Sequence, residues 1–356
     1  MNDYFTERNN KNALKLRQLK SELPFLCEEF FLGIDSKTSM LTKLNYARDL
    51  KVFFVFLTKE IYEFNNKKIR EININDLNTI TSTHLEMYLD YLTYYKGENN
   101  ESHSNSNKTK ARKLSSLRSF FGYLYKKEKL KENVTTKVDI PKINEKEIIR
   151  LDINEVVNIL NLAENGQGFT KNQKAFFEKT KERDFAMLSL FLGTGIRISE
   201  LVGLNVNDFN FEDNSFVVTR KGGNRMILYY SEEVKQALTT YLNFKIEKER
   251  KKDQFLEEDA PFFTSLQNKR INVRSVENIV KKYAKVITPL KKITPHKLRS
   301  TFGTNLYNET NDIYVVAEVL GHKDVNTTKK HYAAISENTR RNALRNVVLR
   351  DDKNND

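Results

Sequence analysis

Cysteine is almost missing from this 356-residue sequence: Cys27 stands alone, so no disulfide can close within the chain and a thiolate-based zinc site is ruled out. The first residues, MNDYFTERNNKNALKLRQLK, lack the apolar core that a secretory signal needs. Apolar runs elsewhere are too short to span a bilayer. These absences lead us to expect a cytoplasmic protein with no membrane partner. No internal repeat of fixed period is found. Nor do carboxylates cluster as a two-metal nuclease site requires, so neither metal nor another cofactor is expected.

Positive charge is plentiful. Lys and Arg number 60 against 47 Asp and Glu, a formal charge of +13. Such an excess suits a polyanion, because each phosphate neutralised by a cation releases condensed counterions. Charge alone leaves open a basic protein with no such partner. Length and a 39% hydrophobic content allow about two domains.

The pattern along the chain is mainly helical, with one small β-hairpin in the C-terminal half. Residues 38–64 place Leu41, Leu44, Leu50, Phe53, Phe54 and Leu57 at helical spacing. THLEMYLDYLTYY reads as a second helix, capped by Thr81 or Thr83, with Leu85, Tyr88, Leu89 and Leu92 on one face; GENNESHSNSN reads as a loop. Residues 108–127 form a helix with Leu114, Leu117, Phe121 and Leu124 towards a core. Its cations Lys108, Lys110, Arg112, Lys113 and Arg118 suit phosphate contacts, or a solvated face. A stretch without periodicity around Pro141 divides the chain into an N-terminal helical domain (1–135), a linker (136–150) and a C-terminal domain (151–356). Asp152 caps the first helix of the latter. SFVVTR and RMILYY flank KGGN as strand, turn and strand, and helices follow to about residue 349.

The C-terminal domain carries the candidate chemistry. GTGIRISEL follows the apolar run FAMLSLFL and sets Arg197 three residues before Glu200, which reads as a surface ion pair or as a charged pair held by a buried helix. Lys221 in RKGGN could decorate a turn. PHKLRSTFGTNL offers His296 and Arg299 at a helix start marked by Pro295, and LGHKDVNTTKKHY offers His322 and Tyr332. Singly these say little. Together they supply every group that phosphoryl transfer without a metal needs. Arg197 and Arg299 offer planar, bidentate donors to non-bridging phosphate oxygens. Lys221 can protonate a leaving 5′ oxygen. Tyr332, with a reference pKa of about 10, becomes a nucleophile where guanidinium charge lowers that value and a histidine such as His296 takes the proton, with His322 as a further donor to the phosphate.

The succession GTGIRISEL, TRKGGNR, TPHKLRSTFGTNLY, LGHKDVNTTKKHY resembles the tyrosine recombinase (phage integrase) family, and more narrowly the Xer recombinases that resolve chromosome dimers. The motifs cover residues 150 to 340; the N-terminal half is similar only in size and helical pattern, as a core-binding domain. The resemblance implies a two-domain, mostly helical clamp around duplex DNA, with four protomers on synapsed recombination sites. It makes Tyr332 the nucleophile that forms a 3′-phosphotyrosine, Arg197 and Arg299 the phosphate clamp, Lys221 the general acid, His296 and His322 active-site histidines and Glu200 a buried supporting carboxylate. ENTRRNALRNVVLR is similar to the segment by which family members dock on a neighbouring subunit. Ser300 stands where many relatives carry another histidine, and Tyr332 lies ten residues past His322, one more than in several Xer enzymes. The same active site serves dimer resolution, integration or excision, and inversion. Helical pattern from about residue 12 leaves no separate arm-binding domain in view, which leans towards a Xer-like or inversion role. Type IB topoisomerase activity and a catalytically idle DNA-binding protein are the other readings.

Overall fold

In the computed structural model, residues 4–97, 100–143, 149–220 and 223–321 are described, with Val325. The chain is mostly helical and divides into two compact units, between Lys146 and Glu147.

The first unit is built from α1 (Tyr4–Glu22), α2 (Leu26–Gly33), α3 (Met40–Glu60), α4 (Ile74–Leu77), α5 (Ser82–Tyr91), the strands β1 (Tyr94–Lys96) and β2 (Ser102–Ser104), and α6 (Asn107–Lys126). Aromatic rings fill its core: Phe30, Phe53, Phe54, Phe56, Tyr88, Phe120 and Phe121 are fully buried, many meeting edge to face. The long helix α3 supplies the expected face of Leu44, Leu50, Phe53, Phe54 and Leu57, but Leu41 in its first turn is exposed. The helix ends at Glu60, and Tyr62–Phe64 forms a separate 3-10 turn that buries Phe64. Thr81 caps α5, its hydroxyl accepting from the His84 N–H.

Two expectations are corrected next to it. The helix read through residue 95 stops at Tyr91, and the loop read over residues 97–107 contains β2, paired antiparallel with β1 in the register Tyr95↔His103. The pairing sets His103 opposite Tyr95, and the rings of Tyr91, Tyr95 and His103 stack in series. Packing into this unit continues past residue 135, to the buried Val138.

The second unit comprises α7 (Ile153–Asn165), α8 (Lys171–Phe177), α9 (Lys181–Thr194), α10 (Ile198–Gly203), β3 (Phe209–Asn210), β4 (Ser215–Thr219), β5 (Arg225–Tyr229), α11 (Glu232–Arg250), α12 (Val273–Ile287), α13 (Pro295–Thr310) and α14 (Ile313–Leu320). Asp152 caps α7 as the sequence indicates: it accepts from the Glu155 N–H while Glu155 accepts from its own. The hairpin β4–β5 pairs Ser215↔Tyr229 through Thr219↔Arg225, and β3 adds a third antiparallel strand that sequence periodicity does not reveal in two residues. At the centre is α9, packed against α7, α11 and α13. Its Ala186, Met187, Leu188, Leu190 and Phe191 are buried in succession, so it is apolar all round rather than on one stripe.

One ion is buried with it. The Asp184 carboxylate is fully enclosed and accepts from Arg183, Thr180, Lys282 and Tyr283, which ties α9 to α12. Among the described residues, no helix is long and apolar enough to cross a membrane.

Candidate functional site

The greasy helix α9 ends in a residue that only glycine fits comfortably. Gly195 has φ +61°, and a Cβ there would lie 2.4 Å from a Phe302 ring carbon and 2.9 Å from Leu320. The chain then turns directly into α10, with Arg197 at its N-cap. Glu200 closes this start, its carboxylate accepting the Arg197 N–H at 3.0 Å and Arg197 Nη1 at 2.8 Å. The Glu200 side chain is only 3% exposed. The pair is therefore no solvated surface bridge: a buried carboxylate fixes a guanidinium that is itself one-third exposed.

Arg299 reaches the same place from α13. Pro295 fills the first position of that helix, where its missing N–H costs nothing. One turn on, the buried Arg299 donates through Nη1 to the Gly195 carbonyl and through Nη2 to the Leu320 carbonyl.

The meeting point of these arginines is the C-terminal end of α14. That helix is capped at its start by Asp312, which accepts from the N–H groups of Tyr314 and Val315, and lies on α13 through Val316 and Leu320. It ends at Gly321 in the left-handed region, φ +61°. Its last carbonyls have no partner within the helix and carry the negative end of the helix dipole. Three guanidiniums satisfy them in order. Arg220 Nη2 donates to Val319 at 3.2 Å, Arg299 to Leu320, and Arg197 Nη2 to Gly321 at 2.9 Å.

Arg220 precedes Lys221 in TRKGGNR, and no local pattern in the sequence marks it. It is half-buried beside Glu200, its Nε 3.9 Å from the carboxylate. Burial holds its pKa below the usual arginine value, partly offset by Glu200 and reinforced by the nearby Arg197 charge.

The structure thus brings together Arg197, Glu200 and Arg299. His296 occupies the first turn of α13, exposed, one turn before Ser300, whose hydroxyl donates to the His296 carbonyl at 3.0 Å. Lys221, His322 and Tyr332, and the C-terminal docking segment, lie outside the described residues; the neighbours Arg220 and Gly321 are within them. Among the described residues, no group of three His, Cys, Asp or Glu is placed to hold a metal ion.

The cations of α6 divide by role. Asp49 on α3 is buried and accepts a bidentate pair from Arg112, a bond from Lys113 at 3.2 Å and one from the Ser116 hydroxyl at 2.7 Å. Lys113 is 6% exposed, so its assignment to a phosphate-contacting surface is corrected: its ammonium compensates a buried carboxylate. Arg118 donates to the carbonyls of Thr135 and Val138, holding the chain after α6. Lys110 bonds the Thr93 hydroxyl, and Lys108 is exposed.

Residues 150–339 match the phage integrase family, and residues 28–128 match the phage integrase N-terminal SAM-like domain. The chain belongs to the phage integrase family. Similar family members include tyrosine recombinase XerC of Caldanaerobacter subterraneus subsp. tengcongensis, 32% identical over 86% of this chain and 82% of that one. Another is tyrosine recombinase XerS of Streptococcus agalactiae, 30% identical over 93% of this chain and 97% of the other. The fold is shared with solved structures at lower identity. A XerH site-specific recombinase bound to a palindromic difH substrate superposes with a TM-score of 0.61, at 20% identity, covering 82% of this chain and 76% of that one. The Tn1549 transposon integrase in complex with circular intermediate DNA gives 0.61, at 19% identity, covering 90% and 99%.

Proposed function

We propose that this family member is a Xer-like site-specific recombinase that cuts and rejoins duplex DNA in the cytoplasm. The observation that carries the reading is the convergence of Arg197 and Arg299 on the end of α14, immediately before His322. Two guanidiniums fixed by a buried carboxylate and by backbone carbonyls form a rigid donor set suited to the non-bridging oxygens of one phosphodiester.

In this reading Tyr332 Oη attacks the scissile phosphorus, the bond to the 5′ oxygen breaks, and a 3′-phosphotyrosine forms. Arg197, Arg299 and His322 donate to the oxygens that gain charge. Lys221 gives a proton to the departing 5′ oxygen, and His296 accepts the tyrosine proton. A 5′-hydroxyl from the partner strand then attacks the phosphotyrosine and restores Tyr332. The bond energy stays in the covalent intermediate, so strand exchange consumes no nucleotide cofactor.

The first unit serves as the core-binding domain, the second as the catalytic domain, and the segment after Val138, to about residue 150, as their linker. Four protomers act on two synapsed sites. The net charge of +13 and the exposed Lys108 at the start of α6 support a duplex partner.

The test expresses the wild-type protein and Tyr332→Phe in the source cells, isolates detergent-resistant protein–DNA adducts and sequences the attached DNA. Adducts with wild type alone, gathered at one locus near the replication terminus, are the expected result. Gathering at element ends or inverted repeats would replace dimer resolution by mobility or inversion. Adducts with neither protein, beside a related active recombinase that yields them, would favour an idle DNA-binding protein.

A further inference from the structure

We infer that Arg220 is a positioning residue for the chemistry proposed above, tying the end of β4, one residue before Lys221 in the chain, to the end of α14. The inference rests on the recombinase reading for its consequence, but its geometry is independent of that reading.

The backbone of Arg220 closes the turn. Its N–H donates to the Asn224 carbonyl at 2.8 Å, and its carbonyl accepts from the Gly223 N–H at 3.1 Å. Its side chain leaves the hairpin altogether, donating to Val319 at 3.2 Å and standing beside Glu200. A Cβ on Gly321 would fall 1.6 Å from Arg220 Nη1, so the guanidinium occupies the space that any side chain at position 321 would need. Arg220 Nε is buried without a hydrogen-bond partner among the described residues.

That Nε faces the Glu200 carboxylate at 3.9 Å, so the buried charge is offset by an ion pair. The side chain is held inward by what it joins. Lys221 follows Arg220 in the chain and His322 follows Gly321. One guanidinium therefore bridges the two backbone positions adjacent to the proposed general acid and the proposed phosphate-binding histidine, while Glu200 links it to Arg197.

The consequence is a defect in leaving-group protonation when Arg220 is lost, with phosphate binding less affected. Arg220→Met retains bulk and removes the donors; Arg220→Lys retains charge without the planar fork. Two measurements are made on each. Hydrogen exchange of the full-length protein reads the anchoring directly: amides of residues 223–229 and 319–321 should exchange about tenfold faster than in wild type, with the rest of the second unit unchanged. Unchanged exchange in both variants overturns the inference, whatever the enzyme does.

The second measurement uses nicked duplexes of the sequence recovered with the wild-type adducts, carrying either a normal phosphodiester or a 5′-bridging phosphorothiolate at the cleavage position. A 5′-thiolate leaves without a proton, so the second substrate dispenses with the general acid. Both variants, and Lys221→Met beside them, should cleave the normal duplex at least about tenfold more slowly than wild type and approach it on the phosphorothiolate. If Lys221→Met is rescued and the Arg220 variants are equally slow on both, the positioning role is wrong. If wild type forms no adduct on either duplex, the recombinase reading fails, and hydrogen exchange still decides whether Arg220 anchors the turn.

Discussion

The Glu200 carboxylate grips Arg197 twice, once through the backbone N–H and once through the guanidinium, and is itself shut away from water. It acts as helix cap and counter-ion in one. Glu200→Ala leaves Arg197 without its anchor and an N–H without an acceptor. We expect the unfolding free energy to fall by about 2 to 3 kcal/mol, kept at the low end because Arg197 retains some solvent. Urea unfolding should show a lower midpoint with the same slope.

Gly195→Ala tests how tightly the end of α9 is packed against α13 and α14. The added methyl meets Phe302 and Leu320 at distances no side chain tolerates, in a backbone conformation that disfavours a Cβ. A loss of about 2 to 4 kcal/mol is expected from those two penalties. Because the Gly195 carbonyl also accepts from Arg299, DNA cleavage should fall more than stability alone accounts for at temperatures where the variant is fully folded.

Lys108 and Lys113 sit on one helix and should behave differently on DNA. Lys108→Ala should lower the slope of log binding constant against log salt by about one, the signature of one phosphate contact. Lys113→Met should leave that slope unchanged and show its effect in stability, through Asp49. Equal slopes for both variants would contradict the division.

Lys245 gives a pH signature. Its ammonium is buried, donating to the carbonyls of Pro261 and Phe262, and desolvation brings its pKa down to about 8. Above that value the folded protein has lost the proton while the unfolded chain, titrating at about 10.4, still holds it, so stability rises with pH between them. Below pH 8 both states are protonated and the cost of the buried charge is fully present. The unfolding free energy of wild type relative to Lys245→Met should therefore increase from pH 8 to 10 and be level from pH 6 to 7. Calorimetry or urea titration across that range checks it.

What could be read from the sequence follows the range of the interactions involved. Helices α3, α6 and α7 announce themselves because burial imposes a 3.6-residue period, and Asp152 and Thr81 because caps are local. Arg197, Glu200 and Arg299 were visible as motifs. Their actual partners were not, since the carbonyls of Gly195, Leu320 and Gly321 are brought to them only by packing of α9, α13 and α14. Arg220 escaped for the same reason: nothing near it in the chain says that its side chain crosses to Val319. Lys113 misled because charge on an amphipathic helix reads as solvent-facing, and its compensation comes from Asp49, 64 residues earlier. The β1–β2 hairpin was hidden in a polar stretch because its order comes from the stacked rings of Tyr91, Tyr95 and His103.

The central claim is that Tyr332 carries the covalent bond to DNA. The most direct measurement traps adducts formed by the purified wild-type protein, digests the DNA with nuclease and the protein with trypsin, and fragments the peptides by mass spectrometry. The account predicts a 3′-linked nucleotide on Tyr332 within the peptide HYAAISENTR, residues 331–340, and none in Tyr332→Phe. A nucleotide on Tyr307, Tyr314 or any other residue, or adducts that persist in the Phe variant, would contradict it.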